Sequence, residues 1–373
     1  MSASERLRDA SKSLLQSAIT AVNGGILIAG LIVGSTAGAW SILSFQQFIG
    51  YFGYINILFP RHLDQFFAVF LSEGLEQFIP NPFEKLINII SEIWDSAIES
   101  PEKYQLPHKF TTLDTPTFFV PNSGSTFFSC IVFMILPYFF DLLRKFKIFR
   151  NIKILINIHS NLKWNIPIRL FLESGIPLLF DTLIQMRKIS YANVPCAISS
   201  ALASLALIYI LLMLQSVFQI LLELDNKNIK DENFENSVGT LYEGLKMKKY
   251  QSFSKFYYFI ILLRGMLLAF LNIFVDNFPI IQVTSLIVFN VLLVGYVWKF
   301  IEFESRYLTW TSRVKEVLIF MAEVFIIALY DQDQEYRDIV AWIIIMILGS
   351  VFIMDLFYAL YLQGLTVKEM IVS

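Results

Sequence analysis

Six ionisable side chains within long apolar stretches of this chain are candidates for chemistry: Glu173, Asp181, Arg264, Glu316, Glu323 and Asp355. Arg264 lies near the middle of its stretch, where an isolated arginine costs about 2.5 to 3.5 kcal/mol on insertion scales, so it must face a partner or a wet cavity. Glu323 is its first expected partner and Glu173 its second. Such a pair either fixes helix register or takes part in gating and permeation. Glu316 and Glu323 are seven residues apart, two helical turns, and so share one face. Together with Asp355, Glu173 and Asp181 on other helices, they could offer oxygen ligands to a cation, calcium requiring six to eight of them. The alternative is that each carboxylate is solvated separately, at an interface or in a cavity. The sequence specifies no metal by itself.

The elements that carry these groups are apolar runs of about 18 residues or more, the length a helix needs to cross a bilayer. Only helices or closed barrels pair every backbone amide and carbonyl there. The expected fold is an all-α integral membrane protein, a bundle of about nine transmembrane helices with a small extracellular helical cap. The expected spans are 16–40, 42–59, 126–143, 166–186, 196–222, 256–274, 279–298, 315–330 and 339–362. The count is eight if 42–59 lies along the interface.

Composition agrees. Hydrophobic residues make up 56% of the chain and charged residues 16%, against roughly 45 to 50% and 25% in soluble domains. A net charge of −2 gives no reason to propose nucleic acid as a partner. Two cysteines, Cys130 and Cys196, rule out a disulfide framework or a cysteine-based zinc site. One bridge between them is open, and buried free thiols are the expectation.

Residues 1–15 are amphipathic and charged, and no cleavable signal peptide follows. Either the first span inserts itself, or the chain is the carboxy-terminal part of something longer. Within 16–59, Gly30, Gly34 and Gly38 form a double GxxxG stripe, which serves close packing inside the bundle or a homo-oligomer face. Residues 60–124 are punctuated by seven prolines and contain two amphipathic patches, His62 to Leu75 and Phe83 to Ile98, expected as helices lying on the membrane surface. Arg144, Lys145, Lys147, Arg150 and Lys153 follow the third span and place that loop in the cytoplasm. The proline-rich cap is then extracellular or luminal.

The segment 125–222 holds spans three to five, 223–254 a cytoplasmic loop, 255–362 spans six to nine, and 363–373 a cytoplasmic tail. Plasma membrane and endomembrane are not distinguished. Lys246, Lys248, Lys249 and Lys255, with Arg144 and Lys145, are candidates for binding anionic lipid, at roughly 1 kcal/mol per juxtamembrane charge. A plain topology signal explains them equally well. Enzyme activity is not expected, because His62, His108 and His159 are scattered outside the spans and no nucleophile, P-loop or metalloprotease motif is present.

Two segments carry a family resemblance. Trp40 to Phe70 resembles the early region of fungal TRP-like membrane proteins and of a set of ciliate transmembrane proteins, in which a glutamine-bearing apolar helix leads through Asn and Pro into an amphipathic segment. Gly239 to Gly244 (GTLYEG), followed by a basic stretch, Arg264 and Gln282, is similar to the element before the later spans of the same proteins. The resemblance implies about nine helices, a distant relation to polycystin-type channels, and movement of calcium, another cation or a small solute. One departure stands out: the link Asp331 to Asp338 is too short for the pore helix and filter of a polycystin-type tetramer. The alternative reading is a non-conducting membrane anchor or assembly module for an extracellular region or partner proteins.

Overall fold

The computed structural model describes residues 37–71, 81–94, 109–110, 118–145, 164–187, 189, 191, 193–224, 238–246, 253–330 and 332–372, with backbone alone at 37–44, 92–94, 143–144 and 358–372. Among them are ten α-helices and no strand: α1 (Ala37–Phe52), α2 (Arg61–Leu71), α3 (Pro82–Trp94), α4 (Phe119–Arg144), α5 (Ile166–Arg187), α6 (Val194–Glu223), α7 (Tyr257–Phe274), α8 (Pro279–Phe300), α9 (Arg306–Ala328) and α10 (Gln334–Val372). Local chemistry sets several starts. Asn81 and Asn193 cap α3 and α6, their side-chain oxygens accepting from Glu84 N at 3.1 Å and Cys196 N at 2.9 Å. Pro279 opens α8, where its missing N–H would be unpaired in any case.

Five helical stretches are long and apolar enough to cross a membrane: Phe119–Leu142, Val194–Glu223, Ser254–Phe274, Pro279–Phe300 and Gln334–Phe357. They correspond to the expected spans three, five, six, seven and nine. The helices at the fourth and eighth, α5 and α9, are interrupted by Arg169, Glu173 and Asp181 and by Arg313, Lys315, Glu316 and Glu323. Residues 16–36 of the first expected span, with Gly30 and Gly34, lie outside the described residues; its last four, 37–40, belong to α1, which runs on into the second expected span without a break.

Some boundaries differ from expectation. The second span was expected to run to residue 59, but α1 ends at Phe52 and a turn follows. Its 16 residues reach about 24 Å. The helix at the third expected span, α4, begins at Phe119 instead of 126, and the helix at the eighth, α9, at Arg306 instead of 315. α10 continues to Val372, through the segment expected as a tail.

The chain forms two compact units. In the first are α1, α2, residues 109–110, α8, α9 and α10. α2 returns closely over α1: a Cβ on Gly50 would stand 3.1 Å from the backbone of Phe70 and Leu71, and one on Gly53 3.1 Å from Phe67 Cβ. α2 also meets α10, with Phe70 and Phe352 edge to face at 5.6 Å and His62 stacked on Trp342 at 4.8 Å. The second unit holds α3 to α7 with residues 238–246. No residue of α5 between Ile166 and Met186 is exposed, so this helix is enclosed by its neighbours. Gly265 of α7 gives room to Ile176 of α5, whose side chain fills the place a Cβ would take. The segment 60–124, expected as one cap, is shared: α2 belongs to the first unit and α3 to the second.

Candidate functional site

α9 is inside out by the standard of a water-soluble helix. Its buried positions are Thr311, Ser312, Lys315, Glu316, Ile319, Ala322, Glu323 and Ile326, at the 3, 4, 7 spacing of one helical face. Its well-exposed positions include Tyr307, Trp310, Val314, Met321 and Val324. α8 has the same sense: Gln282 and Asn290 are buried, while Ile280, Ile281, Val288, Val291 and Leu292 face outward. In α10 the seam Ala341, Ile344, Leu348, Val351 and Asp355 is buried and Trp342, Met346, Ile353 and Phe357 are exposed.

These faces bring specific groups together in the first unit. Lys315 Nζ is 2.5 Å from Asp355 Oδ2 and 4.5 Å from the centre of the Phe45 ring. Glu316 is near enough to Asp355 for the two carboxylates to repel. Deeper along α9, Glu323 accepts a hydrogen bond from the Asn290 amide. At the other end of α8, Gln282 Oε1 accepts from Asn56 N at 3.2 Å, and Asn56 Nδ2 donates to Asp276 O at 2.8 Å. A carboxylate pair with a lysine beside it can hold a cation in competition with that lysine's ammonium. No three His, Cys, Asp or Glu side chains gather to hold a metal among the described residues, so the calcium cage suggested by the sequence is not assembled there.

Aromatic residues recur at one separation on α8 and α9. Phe278, just before α8, and Trp298, in its last turn, are twenty residues apart, about 30 Å along a helix; Trp310, in the second turn of α9, and Tyr330, just after α9, have the same separation. That is the thickness of a bilayer's hydrocarbon core, with Trp and Tyr at its edges. Arg313 lies 5.6 Å from the Trp298 ring and 5.8 Å from the Trp310 ring, and donates to the carbonyls of Trp298 and Ile301 at the end of α8. Lys315 and Glu323 stand five and thirteen residues after Trp310 on α9, between Trp310 and Tyr330.

In the second unit most of the expected residues have structural partners. Asp181 of α5 accepts from Ser123 Oγ and from Asn122 Nδ2 in the first turn of α4. Gln185, one turn on, accepts from Phe119 N at 3.0 Å, and Ser199 Oγ accepts from Val120 N at 3.4 Å. Side chains of α5 and α6 thus satisfy the free amides of α4, which accounts for its early start. Arg169 is bridged to Glu243 at 2.9 Å, and Asn165 accepts from Thr240 N at 3.2 Å, so the GTLYEG segment is fastened to the start of α5.

Lys255, expected as a lipid contact, is buried and donates to Leu222 O and Leu224 O at 3.3 and 3.1 Å, capping the negative end of α6. Lys145 and Lys246 are exposed. Lys248 and Lys249 lie outside the described residues, as does the side chain of Arg144; of Gly38 only the backbone is described. Arg264 is buried in α7, in the second unit, whereas Glu323 belongs to the first. The cation that acts on Glu173 is Arg169. Cys130 and Cys196 are free and buried.

A pair with a buried lysine and a half-buried carboxylate also lies outside the spans. Asp64 of α2 is 2.8 Å from Lys109, whose ammonium lies 4.3 Å from the Phe59 ring centre. Burial pushes the Asp64 carboxyl up despite the neighbouring ammonium, and pushes Lys109 down despite the carboxylate.

Lys315, Asn290 and Gln185 had not been singled out in the sequence. The usable signal was spacing: Lys315 and Glu316 stand eight and seven residues before Glu323, on its face. No family model matches the chain, and no curated protein or solved structure is significantly similar to it.

Proposed function

We propose that the chain is a multi-pass α-helical membrane protein that moves a cation or a small solute along the polar interior of its first unit. The observation that carries this reading is the orientation of α9, which turns Lys315, Glu316 and Glu323 inward and presents Tyr307, Trp310, Val314, Met321 and Val324 outward. An apolar exterior around ionisable interior groups suits a helix surrounded by lipid and facing a functional interior. On this reading α5 and α9 also cross the membrane, although their composition alone falls short. The TRP-like relation belongs to the same proposal, supported by the way GTLYEG is fastened to α5. Exposed Lys145 and Lys246 are available to anionic lipid.

The test is reconstitution in liposomes loaded with dyes for calcium, monovalent cations and pH. Flux that disappears with substitutions at Lys315 or Asp355, in protein that remains folded, supports the reading.

A specific observation favours the second reading, a membrane anchor or assembly module. Lys315 is joined to Asp355, and Asn290 donates to Glu323, which is what packing alone requires of buried polar groups. Absence of flux at every voltage, lipid composition and pH would favour it.

A further inference from the structure

Glu173 differs from the other acidic residues of the apolar helices. It is 5% exposed on the enclosed helix α5. Among the described residues its carboxylate accepts no hydrogen bond and forms no ion pair, whereas Asp181 holds Asn122 and Ser123, and Asp355 holds Lys315. The cation it senses, Arg169, stands one turn earlier on the same helix and is bridged to Glu243.

The surroundings are defined on each packed element. α4 contributes Cys130, whose Sγ is 3.9 Å from Ser174 Oγ and which feels the Glu173 charge. α6 contributes Tyr209, packed edge-on against Phe127 and Phe171, with its hydroxyl beside the Cys130 thiol. α7 packs Leu262 and Met266 against Gly175 and carries Arg264. The segment 238–246 contributes Glu243, which is taken up by Arg169.

We infer that Glu173 is a proton-binding site in the interior of the second unit. A carboxylate taken out of water without donors is stable there only when neutralised by a proton or a cation. The available atoms decide between the two. Ser174 Oγ already donates to Leu170 O at 2.7 Å, Cys130 offers a soft thiol, and the Tyr209 hydroxyl is beside that thiol. That set falls far short of the six to eight oxygens of a calcium site. A proton needs one oxygen and leaves a neutral acid, which suits the aromatic and aliphatic walls. The exchange is acid–base only: an O–H bond forms on the carboxylate and is given up to a base that reaches it.

The inference goes beyond the transport proposal, which concerns the first unit. Infrared difference spectroscopy on the full chain in liposomes tests it, with pH stepped from acidic to alkaline. The expected result is a protonated-carboxyl carbonyl band at neutral pH that bleaches as pH rises. It is missing in Glu173→Gln, kept in Asp181→Asn and displaced in Glu173→Asp. Gln copies the neutral acid in shape and charge, so Glu173→Gln keeps its folded yield and thermal midpoint. Superimposable carboxyl bands in the wild type and Glu173→Gln overturn the inference. So does loss of folded protein in Glu173→Gln while Glu173→Asp remains folded. Protein that conducts nothing yet shows the band leaves this inference standing and sinks the transport proposal alone.

Discussion

Lys315 Nζ lies 2.5 Å from Asp355 Oδ2, tying α9 to α10 through an ion pair in which both side chains are at least nine-tenths buried. Asp355→Asn leaves the buried ammonium without the carboxylate that bonds it and is expected to cost about 3 to 5 kcal/mol, read as a lower thermal midpoint in detergent. Lys315→Met combined with Asp355→Leu removes both charges and should restore most of that stability. A double variant as unstable as Asp355→Asn would show that the pair contributes more than its mutual neutralisation.

Val288 is 57% exposed on α8, ten residues from both Phe278 and Trp298. On a water-facing surface Val288→Arg would change stability by no more than about 0.5 kcal/mol. At the centre of a bilayer it costs about 2.5 to 3.5 kcal/mol. The expectation is a marked loss of membrane-integrated protein, measured by alkaline extraction and folded yield. Unchanged integration would place this face of α8 in water.

Glu304 and Asp333 are exposed at opposite ends of α9, and the native cysteines are buried. In sealed vesicles Glu304→Cys and Asp333→Cys should react with an impermeant maleimide from opposite sides. Labelling of both from one side would remove α9 from the set of spans.

The Asp64–Lys109 pair gives a pH prediction. Burial raises the Asp64 carboxyl above its unfolded value, so its contribution to stability is full below that value, about 3.9, and is lost as pH rises through the folded one. Lys109 is shifted downward, so the folded state releases its proton first and stability increases with pH between its folded and unfolded values. Lys109→Met removes the counter-charge from Asp64. Thermal melts should show a small penalty near pH 4, growing towards about 3 kcal/mol at neutral pH and largely relieved by adding Asp64→Asn. A penalty independent of pH would show that Lys109 acts through packing on Phe59 instead.

Much of the helical framework was legible in the apolar runs because their length is set by the bilayer. The boundaries that moved did so for reasons that run length does not contain. α4 starts early because Gln185 and Ser199, distant in sequence, satisfy the amides of Phe119 and Val120. α1 stops at Phe52, and the turn after it begins at Gly53, where α2 lies close against the backbone. Glu323 was visible as a buried candidate, but its hydrogen-bond donor Asn290 was not, since an amide among Val, Leu and Phe gives no sign of which helix it faces. Lys255 misled because a lysine near a span end reads the same whether it meets lipid headgroups or the carbonyls of Leu222 and Leu224.

The most direct measurement of the central claim is ion flux through purified protein in liposomes. The wild type is expected to carry a cation or proton current, lost in the folded Lys315→Met, Asp355→Leu double variant and retained in Lys145→Ala, whose side chain is exposed. No flux from folded wild-type protein under any voltage, lipid composition or pH, or equal flux from the double variant, would contradict the account.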